Sequence, residues 1–416
     1  EGRLPLDGVR VIEVTANWAG PIGGRHLADL GADVIKVELA TKPATRALMY
    51  VGDDLWPEHY NRSGYFNKMN RNKRDVCLDL AKPEGRDVFL RMVANADVVL
   101  ENNAARVMTQ LGVGYDALRE VNPALVMCSM SGFGSTGPER NYSAYGSNIE
   151  TTSGLASLLG YDASTFYGTG TFYADPITGT HGSIAILAAL LARRSTGTGQ
   201  WIDMALLEAV APFFAQQFLQ HTVTGELPVP SANRSERYCP QNVYPTVGRD
   251  SWLALSVQDT QDWTALCAVI GRQEWAGEPR LRTVEGRREC EAEIEGAIRQ
   301  WCSTRDHVTA AEALQAGGVP AAPVLQNWEL ISDNHLHDRE FFVKTRHPEA
   351  GTHWFPGFPW RFEKTPARVG MPAPMFAEHN REVFADVAGL SGDEIAALYA
   401  AEVTSDAPIY AGGPTI

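Results

Sequence analysis

The sequence predicts an α/β fold: a parallel sheet covered by helices on both faces, followed by a second, smaller unit. Three observations carry this. From Val9 to Gly134, short β-branched runs alternate with amphipathic helical segments, the pattern of strands joined by crossover helices. A polar, proline-containing stretch, "GELPVPSANRSERYCPQN", interrupts the chain from Gly225. The chain's 416 residues exceed the usual size of one core, so two domains are expected.

The elements follow in order. "VRVIEVT" (Val9 to Thr15) is a β-branched run bounded by Gly8, hence a buried strand. "AGPIGGRHLADLG" is a helix stopped by Gly31, and "ADVIKVEL" (Ala32 to Leu39) a second strand. Pro83 to Ala96 opens with proline and has an apolar face, so it is a helix. "DVVLEN" (Asp97 to Asn102) is a third strand, "YDALREVNP" a helix, and Leu125 to Gly134 a fourth strand. After the linker come a strand, "SWLALSVQ", and helices near Trp263 to Ile270 and Cys290 to Cys302. "HVTAAEALQAGGVPAAPVL" is a helix, turn and strand. The stretch from His347 to Phe362 is loop-rich and aromatic, and "SGDEIAALYAA" is a closing helix. These changes of texture divide the chain at 1–225, 226–333 and 334–416.

Bulk properties narrow the function. The net charge is -14, from 36 basic and 50 acidic residues, which disfavours nucleic acid as a partner. An anionic ligand would need a local basic patch. The six cysteines are scattered without a CxxC pair, which suits free thiols in a reducing compartment. No apolar run has membrane-spanning length, so a membrane partner is not expected. The opening "EGRLPLDG" is not a signal peptide, and the missing Met suggests a trimmed start. A cytoplasmic protein is expected. After the first strand stands "TANWAGPIGG" rather than GxGxxG, and no GxxxxGK loop occurs. Nicotinamide, flavin and ATP chemistry are therefore not expected. The open sheet still provides a ligand crevice beyond its strand C-termini.

The stretch from Gly168 to Gln200, "GTGTFYADPITGTHGSIAILAALLARRSTGTGQ", sets one carboxylate, Asp175, before a long apolar run. Asp is a favoured N-cap, Pro176 suits a first helical turn, and His181 to Arg194 is an Ala/Leu/Ile-rich helix closing on two arginines. A helix cap is thus a complete local explanation of Asp175.

Motifs along the whole chain change that reading. "LPLDGVRVIEVT", "LADLGADVIKVE", "NKRDVCLDL", "PEGRDVFLRMV", "ADVVLEN", "NPALVMCSMSGFGSTGP", "AILAALLAR" and "TGTGQWIDMALLEA" occur in that order. "GVPAAPVL", "HPEAG", "PGFPWRF" and "FAEHN" follow. Together they resemble the family III CoA-transferases, a group that includes formyl-CoA transferase and the carnitine and bile-acid CoA-transferases. The resemblance implies a large Rossmann-like domain built from both chain ends, a small α/β domain from the middle, and an intertwined homodimer. It implies an acyl-CoA:carboxylate CoA-transferase with acyl-CoA and a carboxylic acid as substrates and no metal.

The family's nucleophile falls on Asp175. Its carboxylate would attack the thioester carbonyl to form an aspartyl acyl anhydride, and a helix N-terminus supplies amides for the developing oxyanion. CoA carries phosphates, so a basic cluster is needed, and "NRNKR" (Asn70 to Arg74) matches the family there; Lys73, with Arg71 beside it, is the expected phosphate contact. Asn102 falls on the family's adenosine-pocket position. Leu39, Asn103 and Gln110 depart from the family's arginine, aromatic and arginine, and Arg106 lies one helical turn from Gln110. Trp18 replaces a glutamine of formyl-CoA transferase, and "RSERYCPQN" lacks that enzyme's glycine-rich lid, so oxalate and formate are not the expected acids. Aromatic residues flank the site: Trp18, Tyr145, Phe166, Tyr167, Phe172 and Tyr173. Trp18, Tyr145 and Tyr173 are the expected pocket residues, and Tyr145 is also an expected CoA contact.

Two rival functions remain. The α-methylacyl-CoA racemases of the same superfamily pair the Asp with a His where this chain has Tyr145, and a phenol with a pKa near ~10 is a poor proton-abstracting partner. A catalytically silent CoA-binding protein is the other rival, opposed by the intact Asp175 and its loop. "HLHD" (His335 to Asp338) mimics a metal-binding pair without further ligands, and His181 is a packed helix residue.

Overall fold

A computed structural model describes residues 3–47, 58–162 and 164–409. The chain forms two compact units. The first comprises Glu1–Ala156, Gly168–Glu226 and Glu340–Ile416, and the second Ser157–Tyr167 and Leu227–Arg339. The second unit thus takes in Ser157–Tyr167, a loop that the sequence groups with residues 1–225.

In the first unit, β1 (Arg10–Val14), α1 (Ala19–Asp29), β2 (Asp33–Glu38), α2 (Gly64–Asn70), β3 (Lys73–Cys77), α3 (Pro83–Ala94) and β4 (Val98–Glu101) come in succession. α4 (Val107–Gln110), α5 (Tyr115–Val121), β5 (Val126–Ser131), α6 (Gly146–Thr152), α7 (Ala174–Thr196), β6 (Trp201–Ala205), α8 (Leu206–Val210) and α9 (Ala215–Thr224) follow. The six strands form one sheet in the order β3-β2-β1-β4-β5-β6, and every neighbouring pair is parallel. This is the doubly wound order. Its connections reverse direction between β1 and β4, so the loops leaving those strands diverge and open a crevice.

The strands expected around residues 9, 32, 97 and 125 are β1, β2, β4 and β5. β3 and β6 were not legible. The "NRNKR" stretch is a loop only at its centre: Asn70 ends α2, and Lys73 and Arg74 open β3. β3 hid because its inward positions Lys73 and Asp75 are charged. The fold tolerates them because Lys73 Nζ lies 2.7 Å from Glu13 Oε2, and Asp75 lies 3.5 Å from the Arg46 guanidinium.

Leu- and Val-rich faces of the sheet and of α3 and α5 build a core around Phe89, Met92 and Val99. The C-terminal part closes it through Val383, Phe384 and Leu398. Asn380 ties this return to β3: its Oδ1 accepts Cys77 N–H at 2.8 Å, and its amide donates to Thr404 Oγ1 at 3.0 Å.

The second unit has its own core. β7 (Gln241–Pro245), β8 (Trp252–Ser256) and, after intervening helices, β9 (Ala321–Val324) form an antiparallel sheet. Those helices are α10 (Thr260–Val269), α11 (Gln273–Ala276), α12 (Val284–Glu289), α13 (Glu291–Cys302) and α14 (His307–Ala316); α15 (Asn327–Ile331) and α16 (Asn334–Asp338) follow β9. Trp263 stacks on Trp275 at 6.2 Å within this core.

Back in the first unit, the stretch expected as loop supplies the second strand of an antiparallel hairpin, β10 (Phe342–His347) and β11 (Gly351–Pro356). Gly351, at φ +83°, supplies the left-handed turn residue. α17 (Asn380–Asp386) and α18 (Gly392–Ala400) end the described chain, α18 being capped by the Ser391 hydroxyl.

Candidate active site

The site starts from small residues. α1 and α7 cross so closely that a Cβ on Gly179 would lie 2.4 Å from the Ala19 carbonyl oxygen, and one on Gly23 would lie 3.2 Å from the Gly179 carbonyl oxygen. Ser183 Oγ donates to the Gly179 carbonyl at 2.9 Å and lies 3.2 Å from that of Gly23, stitching the crossing. This approach brings the N-terminus of α1, at the carboxyl end of β1, against the N-terminus of α7. Ala19 N–H then donates to Asp175 Oδ1 at 3.3 Å.

Asp175 is therefore not the cap of its own helix. The cap position is Tyr173, no side chain caps the helix, and the helix starts at Ala174. Asp175 sits in the first turn and caps a different helix, α1. No local pattern could reveal this, because the partner lies 156 residues away. Two helix N-termini now face one carboxylate, an arrangement that favours negative charge.

Burial acts in the opposite direction and wins. The Asp175 carboxyl is pushed up to about 6, mainly by desolvation; the Ala19 hydrogen bond lowers it and the nearby Glu150 charge raises it. Its other oxygen is fitted against Gly146, where any Cβ would stand 2.1 Å from Oδ2. Only glycine leaves that space.

Glu150 was missed by the sequence reading, being one acidic residue in an unremarkable helix. It is buried and gathers the loop ahead of Asp175: Oε1 accepts Tyr173 N–H at 2.7 Å and Thr169 Oγ1–H at 2.6 Å, and Oε2 accepts Thr169 N–H at 3.2 Å. Phe172 in this loop is left-handed at φ 51°, and Asn17, before Trp18, at φ 60°. Two non-glycine residues with positive φ on the two loops that meet at Asp175 mark stored backbone strain, which concentrates at functional sites.

The other expected residues separate. Trp18 is the residue before α1, and Tyr145 and Tyr173 are exposed at the N-termini of α6 and α7. Asn102 lies at the crevice, but its amide clamps the β1–α1 loop, pairing with Ala16 N–H and C=O at 2.8 Å each. Arg106 is exposed at the start of α4.

Lys73 and Arg71, the expected phosphate contacts, are buried. The Lys73 ammonium donates to Glu13, to the Pro21 carbonyl and to Asn70 Oδ1, each at 2.9 Å, and burial lowers its pKa to about 8. Arg71 holds Asp29 at 2.8 Å and donates to the Pro356 carbonyl at 2.5 Å. In this structure both cations already have full sets of partners. His181, expected to be packed, is exposed, and its ring contacts the Ile177 carbonyl at 3.0 Å within its own helix. His335 and His337 lie on α16, and among the described residues no group of three or more His, Cys, Asp or Glu is placed to hold a metal ion.

Comparison with known proteins supplies the family. The sequence profile of CoA-transferase family III matches residues 6–380. The chain is 32% identical over 403 residues to succinyl-CoA–D-citramalate CoA-transferase of Chloroflexus aurantiacus, covering 96% of this chain and 98% of that protein. It is 34% identical over 399 residues to succinate–glutarate CoA-transferase of Agrobacterium fabrum, covering 92% and 96%. Its fold is similar to the crystal structure of a CAIB/BAIF family protein from Brucella suis, with a TM-score of 0.84 at 29% identity, covering 92% of this chain and all of that one. A profile match along nearly the whole length, on a doubly wound sheet with its crevice beside Asp175, makes this chain a member of CoA-transferase family III.

Proposed function

We propose that the enzyme moves CoA between two carboxylic acids through an acyl anhydride on Asp175. The observation that carries this is a half-buried carboxylate held between two helix N-termini at the sheet's switch point. An Asp175 oxygen bonds to the thioester carbonyl carbon, the C–S bond breaks, and the CoA thiolate leaves with the electron pair. The second acid's carboxylate attacks the aspartyl carbonyl carbon and displaces the first acid. The thiolate then attacks the new acyl carbon, forming the product thioester and restoring Asp175. No proton needs to move, so no general base is needed. The Ala19 N–H and the first-turn amides of α7 are the donors for charge developing at the carboxyl carbons.

CoA enters at the crevice beyond β1 and β4, with Arg106 as an exposed cation for its phosphates and Tyr145 and Tyr173 along the acyl path. The relatives named above act, by name, on succinate, glutarate and D-citramalate, so the acid pair is sought first among dicarboxylic acids. We further propose a homodimer as the working form.

The anhydride is tested by trapping. The enzyme turning over an acyl-CoA is quenched with hydroxylamine and the modified peptide is mapped. A hydroxamate on Asp175 is expected. Modification elsewhere, or none during demonstrated turnover, sinks the mechanism.

A further inference from the structure

Over the Trp18 ring the structure holds a cation with no ion pair among the described residues. Lys68, on α2, places its ammonium 5.0 Å from the centre of the Trp18 indole. Trp18 directly precedes Ala19, the residue whose N–H holds Asp175. Tyr65, one turn before Lys68, stands edge-on to the same indole at 6.1 Å. Its hydroxyl is pushed up to about 12 by burial and by the Asp175 charge, so Tyr65 and Asp175 share one electrostatic environment.

Four buried cations of this region are paired with a carboxylate. Lys36 and Lys73 have Glu13, Arg71 has Asp29, and Arg46 has Glu38. Among the described residues, Lys68 has none. Arg25 increases the local positive excess: its guanidinium donates to the Lys68 carbonyl at 3.2 Å, its Nε is buried with no acceptor, and its charge together with burial lowers the Lys68 pKa. Trp18 Nε1 is likewise buried without an acceptor. A half-desolvated ammonium with a like-charged neighbour gains most from an incoming anion.

We propose that Lys68 is the specificity residue of the acid site, binding the remote carboxylate of a dicarboxylic acyl group across the face of Trp18. Its partner is the carboxylate that does not react, while the reacting one meets Asp175. Trp18 covers the connecting methylenes, and its indole N–H is available to the same anion. This inference rests on the transfer reading above and names the chemistry of its acid.

The test varies only the acceptor. With butyryl-CoA as donor, kcat/KM is measured for glutarate and for valerate, which has the same carbon chain with one carboxylate fewer. The parent enzyme is expected to prefer glutarate at least about tenfold. Lys68→Met should lose about 10- to 100-fold with glutarate and leave valerate unchanged, and Lys68→Arg should retain most of the preference. Equal losses with both acids in Lys68→Met would mean that Lys68 merely packs on Trp18, and no glutarate preference in the parent would mean no carboxylate subsite; either overturns the proposal while transfer itself stands. Transfer to neither acid from butyryl-, succinyl- or glutaryl-CoA would sink the transfer reading together with this one.

Discussion

Asp175 is kept at a cost to the fold. With its carboxyl raised from 3.8 to about 6, the folded protein retains, between those pH values, a proton that the unfolded chain has lost. Stability therefore falls as pH rises through that window, by about 3 kcal/mol in all. Asp175→Asn removes this cost and keeps an oxygen for Ala19 N–H. At pH 8 its thermal melt should be at least as high as the parent's, and the difference should vanish below about pH 4. Transfer should fall by roughly 10³-fold or more, because an amide cannot form the anhydride. A folded variant with near-parental transfer at pH 8 would end the nucleophile assignment. In the parent, kcat/KM should drop about tenfold per pH below 6 as the carboxylate protonates. A limb near pH 4 instead would contradict the burial argument. Lys73 predicts the reverse pattern. Lys73→Met breaks a fully buried pair with Glu13 and should cost about 3 kcal/mol in denaturant unfolding. A large loss of CoA affinity without loss of stability would instead support Lys73 as a phosphate contact.

At the scale of elements, the α1–α7 crossing sets how closely the Ala19 N–H approaches Asp175. Glycine at 179 is needed for contact, since a methyl there would meet Ile22 Cγ2 at 2.1 Å as well as the Ala19 carbonyl. Gly179→Ala must push the helices apart, which typically costs 1–3 kcal/mol (roughly) in a packed interior. It also draws Ala19 N–H away from a carboxylate already at 3.3 Å. We expect kcat to fall about tenfold or more with KM for the acyl-CoA little changed, since the donor acts on charge that develops during reaction. A KM effect alone would show that the crossing shapes the pocket and leaves the transition state untouched. The Glu150 clamp is the second element-level device: it fixes the Gly168–Tyr173 loop through three hydrogen bonds to one buried carboxylate.

At the scale of the whole molecule, the described residues leave several large apolar side chains exposed. α7 turns Ile184 and Leu191 to solvent, α9 turns Phe218, Leu219 and Val223, and Trp354, Trp360 and Phe362 are exposed near the C-terminal hairpin. Large exposed apolar side chains, where they gather into a patch, mark association surfaces. A second copy of the chain is the expected cover, in a dimer that does not come apart without unfolding. Sedimentation on serial dilution should show a single dimeric species to the limit of detection. A folded, active monomer at low concentration would refute this.

Local sequence determined the parts of this protein whose signals are local. The apolar runs of β1, β2, β4 and β5 needed no tertiary help, because strands buried on both faces show continuous β-branched residues. The long helix carrying Asp175 was legible from its apolar run and its closing arginines, and the motif order carried the family. Only the tertiary structure decided what the charged residues do. Lys73 and Arg71 looked like surface cations and lie buried against Glu13 and Asp29, because a pair of opposite charges from distant segments can enter a core that neither could enter alone. Asp175 looked like the cap of its own helix and instead accepts a hydrogen bond from another one, and Glu150 showed no sign of the loop it holds. Hydrogen bonds and ion pairs depend on distance and direction in space, and partners 60 or 156 residues apart in sequence leave no periodic trace along the chain.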